Sequence, residues 1–156
     1  MSWLVIGMGK HDSQIGCEYE LPEEQFDTDT AMLWFGPDAR LSRALWPLDH
    51  QHLADTERMV SAPLDTEQMN WFVVRRPHWY ATARAADDKP LVIEYHLSSE
   101  FGFTQAAAWI GSWTPEMAYI STPLSAEQSS EIEKAFGTFP TPGRYQHVLE
   151  STARPD

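Results

Sequence analysis

A change of hydrophobic period at Trp71 constrains this chain more than any other feature. From Trp71 to Tyr80 and from Leu91 to Ser98 the residues are rich in β-branched and aromatic types with a period of two, and Asp87-Asp88-Lys89-Pro90 between them carries turn chemistry. The pattern predicts a β-hairpin, with Pro77 pushing its first strand toward a sheet edge because proline has no N–H to give to a ladder. Ala106 to Trp113 and Met117 to Thr122, separated by Thr114-Pro115, read as further strands. The expected result is an antiparallel meander over residues 71–122, in a sheet of about four or five strands.

Elsewhere the period is helical. Trp46, Leu53 and Val60 recur every seven residues, with Leu45, Leu48 and Met59 near the same stripe and Pro47 suited to a first turn. A Pro37-Asp38 break separates this stripe from Met32-Leu33-Trp34-Phe35, leaving two short helices or a strand and a helix. Ser125-Ala126-Glu127-Gln128 matches a capping box, Ile132, Ala135 and Phe136 form an apolar stripe behind it, and Gly137 suits a C-cap. Trp3 to Ile6 followed by Gly7-Met8-Gly9 reads as a buried strand ending in a turn. The fold class is therefore α+β: an antiparallel sheet packed against helices drawn from residues 31–70 and 125–136. One domain over residues 1–156 accounts for the pattern, with the polar end from Glu150 fraying.

Cys17 is the single cysteine, so neither an intrachain disulfide nor a cysteine zinc cage is expected. No apolar stretch approaches the length of a membrane helix, and the short N-terminal apolar run lacks a basic flank, which predicts a cytoplasmic protein that does not engage a membrane. The formal charge is −12, and it is unevenly spread. Residues 1–70 carry 13 acids against Lys10, Arg40, Arg43 and Arg58, a net −9, while residues 71–156 carry 10 acids against seven bases, a net −3. Such a surface repels nucleic acid and favours a basic protein partner. The acidity peaks from Glu18 to Asp29, through Glu18, Glu20, Glu23, Glu24, Asp27 and Asp29.

Motif candidates thin out under inspection. Gly7-Met8-Gly9-Lys10 lacks the third glycine of a dinucleotide fingerprint and the Ser/Thr of a phosphate loop, since Asp12 and His11 stand there. Asp49, His50, His52 and Asp55 are metal-competent residue types, but on a helix His50 and His52 project about 200° apart, so no metal site is expected. No cofactor is expected either. The segments Ser61–Gln68 and Ser121–Gln128 resemble each other at a spacing of sixty, yet their flanks do not align, and the expectation is one connector used twice instead of a repeat.

Two functional readings follow. The first is a non-enzymatic binding protein of inhibitor or immunity type, neutralising a basic toxin or nuclease through the acidic window, with Trp34 and Trp79 as aromatic anchors. The alternative is a small α+β enzyme or ligand-binding domain. Alternation along Leu91–Leu97 places Glu94 and His96 on one face, and Arg76 and His78 share a face of the neighbouring strand, which would make an acid–base pair beside an anion clamp, in a cavity that also involves Trp71.

Overall fold

The computed structural model describes residues 2–40, 45–85, 93–98, 100–110, 121–136 and 145–152, and over these the chain is an α+β protein with two antiparallel four-stranded sheets. The first sheet takes β1 (Trp3–Gly9), β2 (Ile15–Leu21), β3 (Trp46–Pro47) and β4 (Met69–Arg75), in the order β2-β1-β4-β3. Helix α1 (Thr28–Phe35), a 3-10 turn at Pro37–Arg40 and helix α2 (His50–Val60) connect its strands. The second sheet takes β5 (His78–Ala85), β6 (Ile93–His96), β7 (Thr122–Pro123) and β8 (Tyr145–Thr152), in the order β6-β5-β8-β7, with α3 (Phe103–Ile110) and α4 (Ala126–Phe136) between.

Local chemistry sets these boundaries. Leu4-Val5-Ile6 and Val73-Val74 are buried, β-branched-rich runs that suit interior strands. Gly7 sits at a bulge under the indole of Trp71, where a Cβ would come within 2.8 Å of the ring, so only glycine lets the strand pass. Asp27, Asp49 and Ser125 each cap a helix through a side-chain oxygen, accepting from Thr30 N at 2.8 Å, His52 N at 3.1 Å and Gln128 N at 3.2 Å. Gln128 Oε1 accepts from Ser125 N at 2.7 Å in return, completing the capping box that the sequence announces.

The two sheets are built on one plan. Both halves run strand, strand, helix, short strand, helix, strand, and both order their strands second, first, fourth, third. Registers agree as well. Val5 lies between Tyr19 and Val73, and Trp46 opposes Val73. Ala81 lies between Tyr95 and Leu149, and Thr122 opposes Leu149. Val5 to Ala81, Tyr19 to Tyr95, Trp46 to Thr122 and Val73 to Leu149 are each a step of 76 positions. The same step carries Trp3 to Trp79, Glu18-Tyr19-Glu20-Leu21 to Glu94-Tyr95-His96-Leu97, and Pro47-Leu48 to Pro123-Leu124, while α1 and α3 differ by 75 and match Ala31 to Ala106 and Trp34 to Trp109. The chain is thus an internal duplication, correcting the expectation of no repeat. The sixty-residue echo is coincidental, since Ser61–Gln68 is the turn region after α2 whereas Ser125–Gln128 opens α4.

The halves stack in layers. Helices α1 and α2 pack on one face of the first sheet, where Trp3, Val5, Trp71 and Val73 meet Phe26 and Ala31. The opposite face contributes Leu4, Ile6 and Val74 to a second core with Phe103, Ala106 and Ile132 of α3 and α4, and with Trp79, Ala81 and Leu149 of the second sheet. Helices α3 and α4 therefore sit between the sheets, and the outer face of the second sheet is the counterpart of a face that the first sheet buries.

Several boundaries differ from the sequence expectation. Residues 71–80 are two strands in two sheets, because Pro77 interrupts the ladder and the chain crosses between sheets there; both strands are interior, not edge, positions. Ala106–Ile110 is helical, since the run Ala106-Ala107-Ala108 has high helix propensity that outweighs the aromatic alternation. Trp46-Pro47 forms a short strand instead of a first helical turn, and α2 starts only after its Asp49 cap. Glu150 lies inside β8 in place of a fraying tail. The expected turn at residues 87–90, the strand residues 91–92 and 111–120, and the Gly137 cap lie outside the described residues.

Candidate functional site

Two surfaces hold the residues singled out by sequence. On the first, the acidic window is divided between structure and solvent. Glu18, on the inner face of β2, accepts from Phe103 N at 3.1 Å, Thr104 N at 3.3 Å and Thr104 Oγ1 at 2.8 Å, so it caps α3 from a neighbouring layer. A side chain at Gly102 would collide with that carboxylate. Asp27 caps α1, and the hydrogen bonds from Thr30 hold its carboxyl below the usual carboxylate range. Glu20 pairs with Arg76 at 3.0 Å.

Glu23, Glu24 and Asp29 are exposed around the start of α1. One helical turn beyond Asp29 stands Leu33, 83% exposed, the large apolar side chain most open to solvent among the described residues. Spaced by four, Asp29 and Leu33 share a face of α1. Trp34 is half-buried, its ring stacked on His52 at 4.0 Å and edge-on to Phe26 at 5.1 Å. Trp79, expected as an anchor, is 4% exposed and packs edge-on against Phe101 and Phe103, so it belongs to the core. No motif marked Leu33; its signal is the unbroken apolar run Ala31-Met32-Leu33-Trp34-Phe35, which covers every side of the last turns of α1 and leaves one apolar residue facing water.

The second surface is the outer face of the second sheet. There His78 Nε2 and His96 Nδ1 stand 2.7 Å apart, and His96 Nε2 meets Glu94 Oε1 at 2.8 Å. The alternation rule thus brings Glu94, His96 and His78 together as a continuous hydrogen-bonded chain. Tyr80 lies opposite His96, and Thr82, opposite Glu94, donates to Glu150 at 3.0 Å, which also accepts from Ser121. Arg76 is drawn instead to Glu20 of the first sheet, and Trp71 is buried in the first core with its Nε1 donating to Asp65 O, so the expected cavity of Trp71, Arg76, His78, Glu94 and His96 is not assembled. Glu94 and His96 are 39% and 47% exposed, which leaves the chain of rings open to water.

The other motifs take structural roles. Gly9 and Lys10 lead into a hairpin rather than a helix, and Lys10 Nζ donates to Thr66 O at 2.6 Å beside a cleft of about 170 Å³ lined by Leu48, His50, Asn70 and Trp71. Asp49 is a helix cap and His52 a stacking partner, and no group of three or more His, Cys, Asp or Glu among the described residues is arranged to hold a metal. Burial and the nearby Asp65 push the Cys17 thiol up, away from a reactive thiolate. No described helix is long and apolar enough to cross a membrane. No protein-family model, curated protein or solved structure matches the chain.

Proposed function

We propose that the chain is a non-enzymatic binding protein of inhibitor or immunity type, acting in the cytoplasm, that covers the positive surface of a basic protein partner such as a toxin or nuclease. The observation that carries this reading is Leu33, a solvent-exposed apolar side chain on α1 that shares a helix face with the exposed Asp29, while Glu23 and Glu24 are exposed in the segment leading into that helix. An apolar centre with a polar rim is the usual anatomy of an interface, and opposite charge speeds the encounter. Glu18 and Asp27 drop out of the contact set because their oxygens are committed to helix ends, and Trp79 because it is buried.

The catalytic reading has less support, since Glu94 and His96 are open to water and acid–base catalysis draws its strength from an enclosed site. Affinity capture with the full chain, followed by mass spectrometry, identifies the partner. Binding then weakens steeply with added salt, Leu33→Asp abolishes it, and Glu23→Gln/Glu24→Gln/Asp29→Asn slows association and flattens the salt dependence. An unchanged affinity and salt slope in both variants overturns the reading.

A further inference from the structure

The duplication supplies an internal comparison for the outer face of the second sheet. At the positions of His78, Glu94 and His96 the first half carries Ser2, Glu18 and Glu20, with Glu18 capping α3 and Glu20 paired to Arg76. The second half keeps the glutamate, as Glu94, but adds two imidazoles beside it. Exposed polar residues on that face, such as Glu94 and His96, do not by themselves call for a ligand. Two ring nitrogens aimed at each other, with a carboxylate behind one of them, are a more specific arrangement.

We propose that His78 Nε2 and His96 Nδ1 form a two-imidazole site for a divalent transition-metal ion of the Ni²⁺ or Cu²⁺ type, with Glu94 as the positioning residue for His96. With both rings neutral, hydrogen-bond logic places the protons. His96 Nε2 donates to the Glu94 carboxylate, so its Nδ1 presents a lone pair, and His78 Nε2 donates into it. A metal ion takes the place of the proton between the rings. Each imidazole then binds as a neutral ligand, with its one proton on the nitrogen that faces away from the metal.

Distance selects the ion. With metal–nitrogen bonds of about 2.1 Å, a right-angled pair of ligands needs nitrogens about 3 Å apart and a tetrahedral pair about 3.4 Å. From 2.7 Å a right angle asks the smaller increase in separation, and in either geometry both rings turn so that their facing lone pairs meet beside the line between the nitrogens. A carboxylate accepting from the far nitrogen of a ligating histidine fixes its tautomer and ring plane, the position Glu94 already holds. Water fills the remaining coordination positions. The site is separate from the acidic surface of α1, so neither proposal depends on the other.

The test is calorimetric titration of the full chain with Ni²⁺ at neutral pH, paired with NMR of the histidine ring protons, which paramagnetic Ni²⁺ broadens by proximity. One site per chain is expected, with broadening centred on His78 and His96. His78→Ala and His96→Ala each weaken binding at least tenfold, Glu94→Gln weakens it about tenfold without removing it, and His50→Ala/His52→Ala leaves it unchanged. The proposal is overturned by wild-type affinity in His78→Ala and His96→Ala, by loss of binding in the His50/His52 variant, or by the absence of both heat and broadening at millimolar Ni²⁺. The NMR arm reads the wild-type chain directly, so it stands even where a variant folds poorly.

Discussion

Individual acids in this chain separate into those that hold the fold and those that face water, and the difference is measurable. Glu18 supplies three acceptor contacts to the start of α3, whose own cap position is Gly102, which has no side chain to offer. Glu18→Ala therefore leaves the Phe103 and Thr104 amides without that acceptor and lowers unfolding stability by about 1 kcal/mol in denaturant titration, with Glu18→Gln retaining part of it. Equal stability of the Ala variant and the wild type would remove Glu18 from the structural set and return it to the contact surface. Asp27 makes a pH-dependent case. Its folded carboxyl titrates below its unfolded value, so the stability it adds is complete above the unfolded carboxylate range and is lost as pH falls through the depressed value. Asp27→Asn caps the helix without titrating, so its melting temperature declines less between pH 5 and pH 2 than that of the wild type; parallel profiles would show that Thr30 does not hold the carboxyl in its ionised form.

At the scale of elements, the duplication explains which parts of the fold were legible in the sequence. The α+β class, the capping box and the shared face of Glu94 and His96 follow from local pattern, because they act over a few residues, whereas of the hairpin strand expected over residues 71–80 only His78–Tyr80 belongs to β5, which pairs with β6 through Tyr80–Ala83. The repeat was written in Glu-Tyr-x-Leu at 18–21 and 94–97 and in Pro-Leu at 47–48 and 123–124, but α1 and α3 are out of step by one residue and the strands share little else, so a louder match at sixty positions hid it. The helix at Ala106–Ile110 imitates a strand through its aromatic neighbours, and Trp79 reads as a surface residue because the polar side chains beside it in sequence, His78 and Tyr80, point to the other face of β5. Equivalent elements also carry equivalent cores. Thr56 of α2 and Ile132 of α4 occupy matched positions and both are fully buried, yet Thr56 returns its hydroxyl to His52 O while Ile132 fills the core with four carbons. Ile132→Ala then costs about 2–5 kcal/mol. A cost well under 1 kcal/mol would mean that α4 is not seated in the shared core.

Across the whole molecule, the position of α3 and α4 decides how the chain unfolds. Two duplicated halves that merely touched would melt separately, the less stable one first. Here the second half's helices bury one side against their own sheet, at Trp79, Ala81 and Leu149, and the other against Leu4, Ile6 and Val74 of the first. Removing the first sheet would expose Phe103, Ala106 and Ile132 and leave Glu18 no longer capping α3, so the second half loses its packing when the first unfolds. One cooperative transition is expected, with tryptophan fluorescence and far-UV circular dichroism following the same denaturant curve. Val74→Ala gives the sharper form of the test, because the substitution lies in the first sheet while Trp79 and Trp109 report on the second half. Both signals shift together to lower denaturant if the core is continuous. A biphasic curve, in which signals from the second half keep their wild-type midpoint, would show that the halves are energetically independent and that the layer between the sheets transmits no stability.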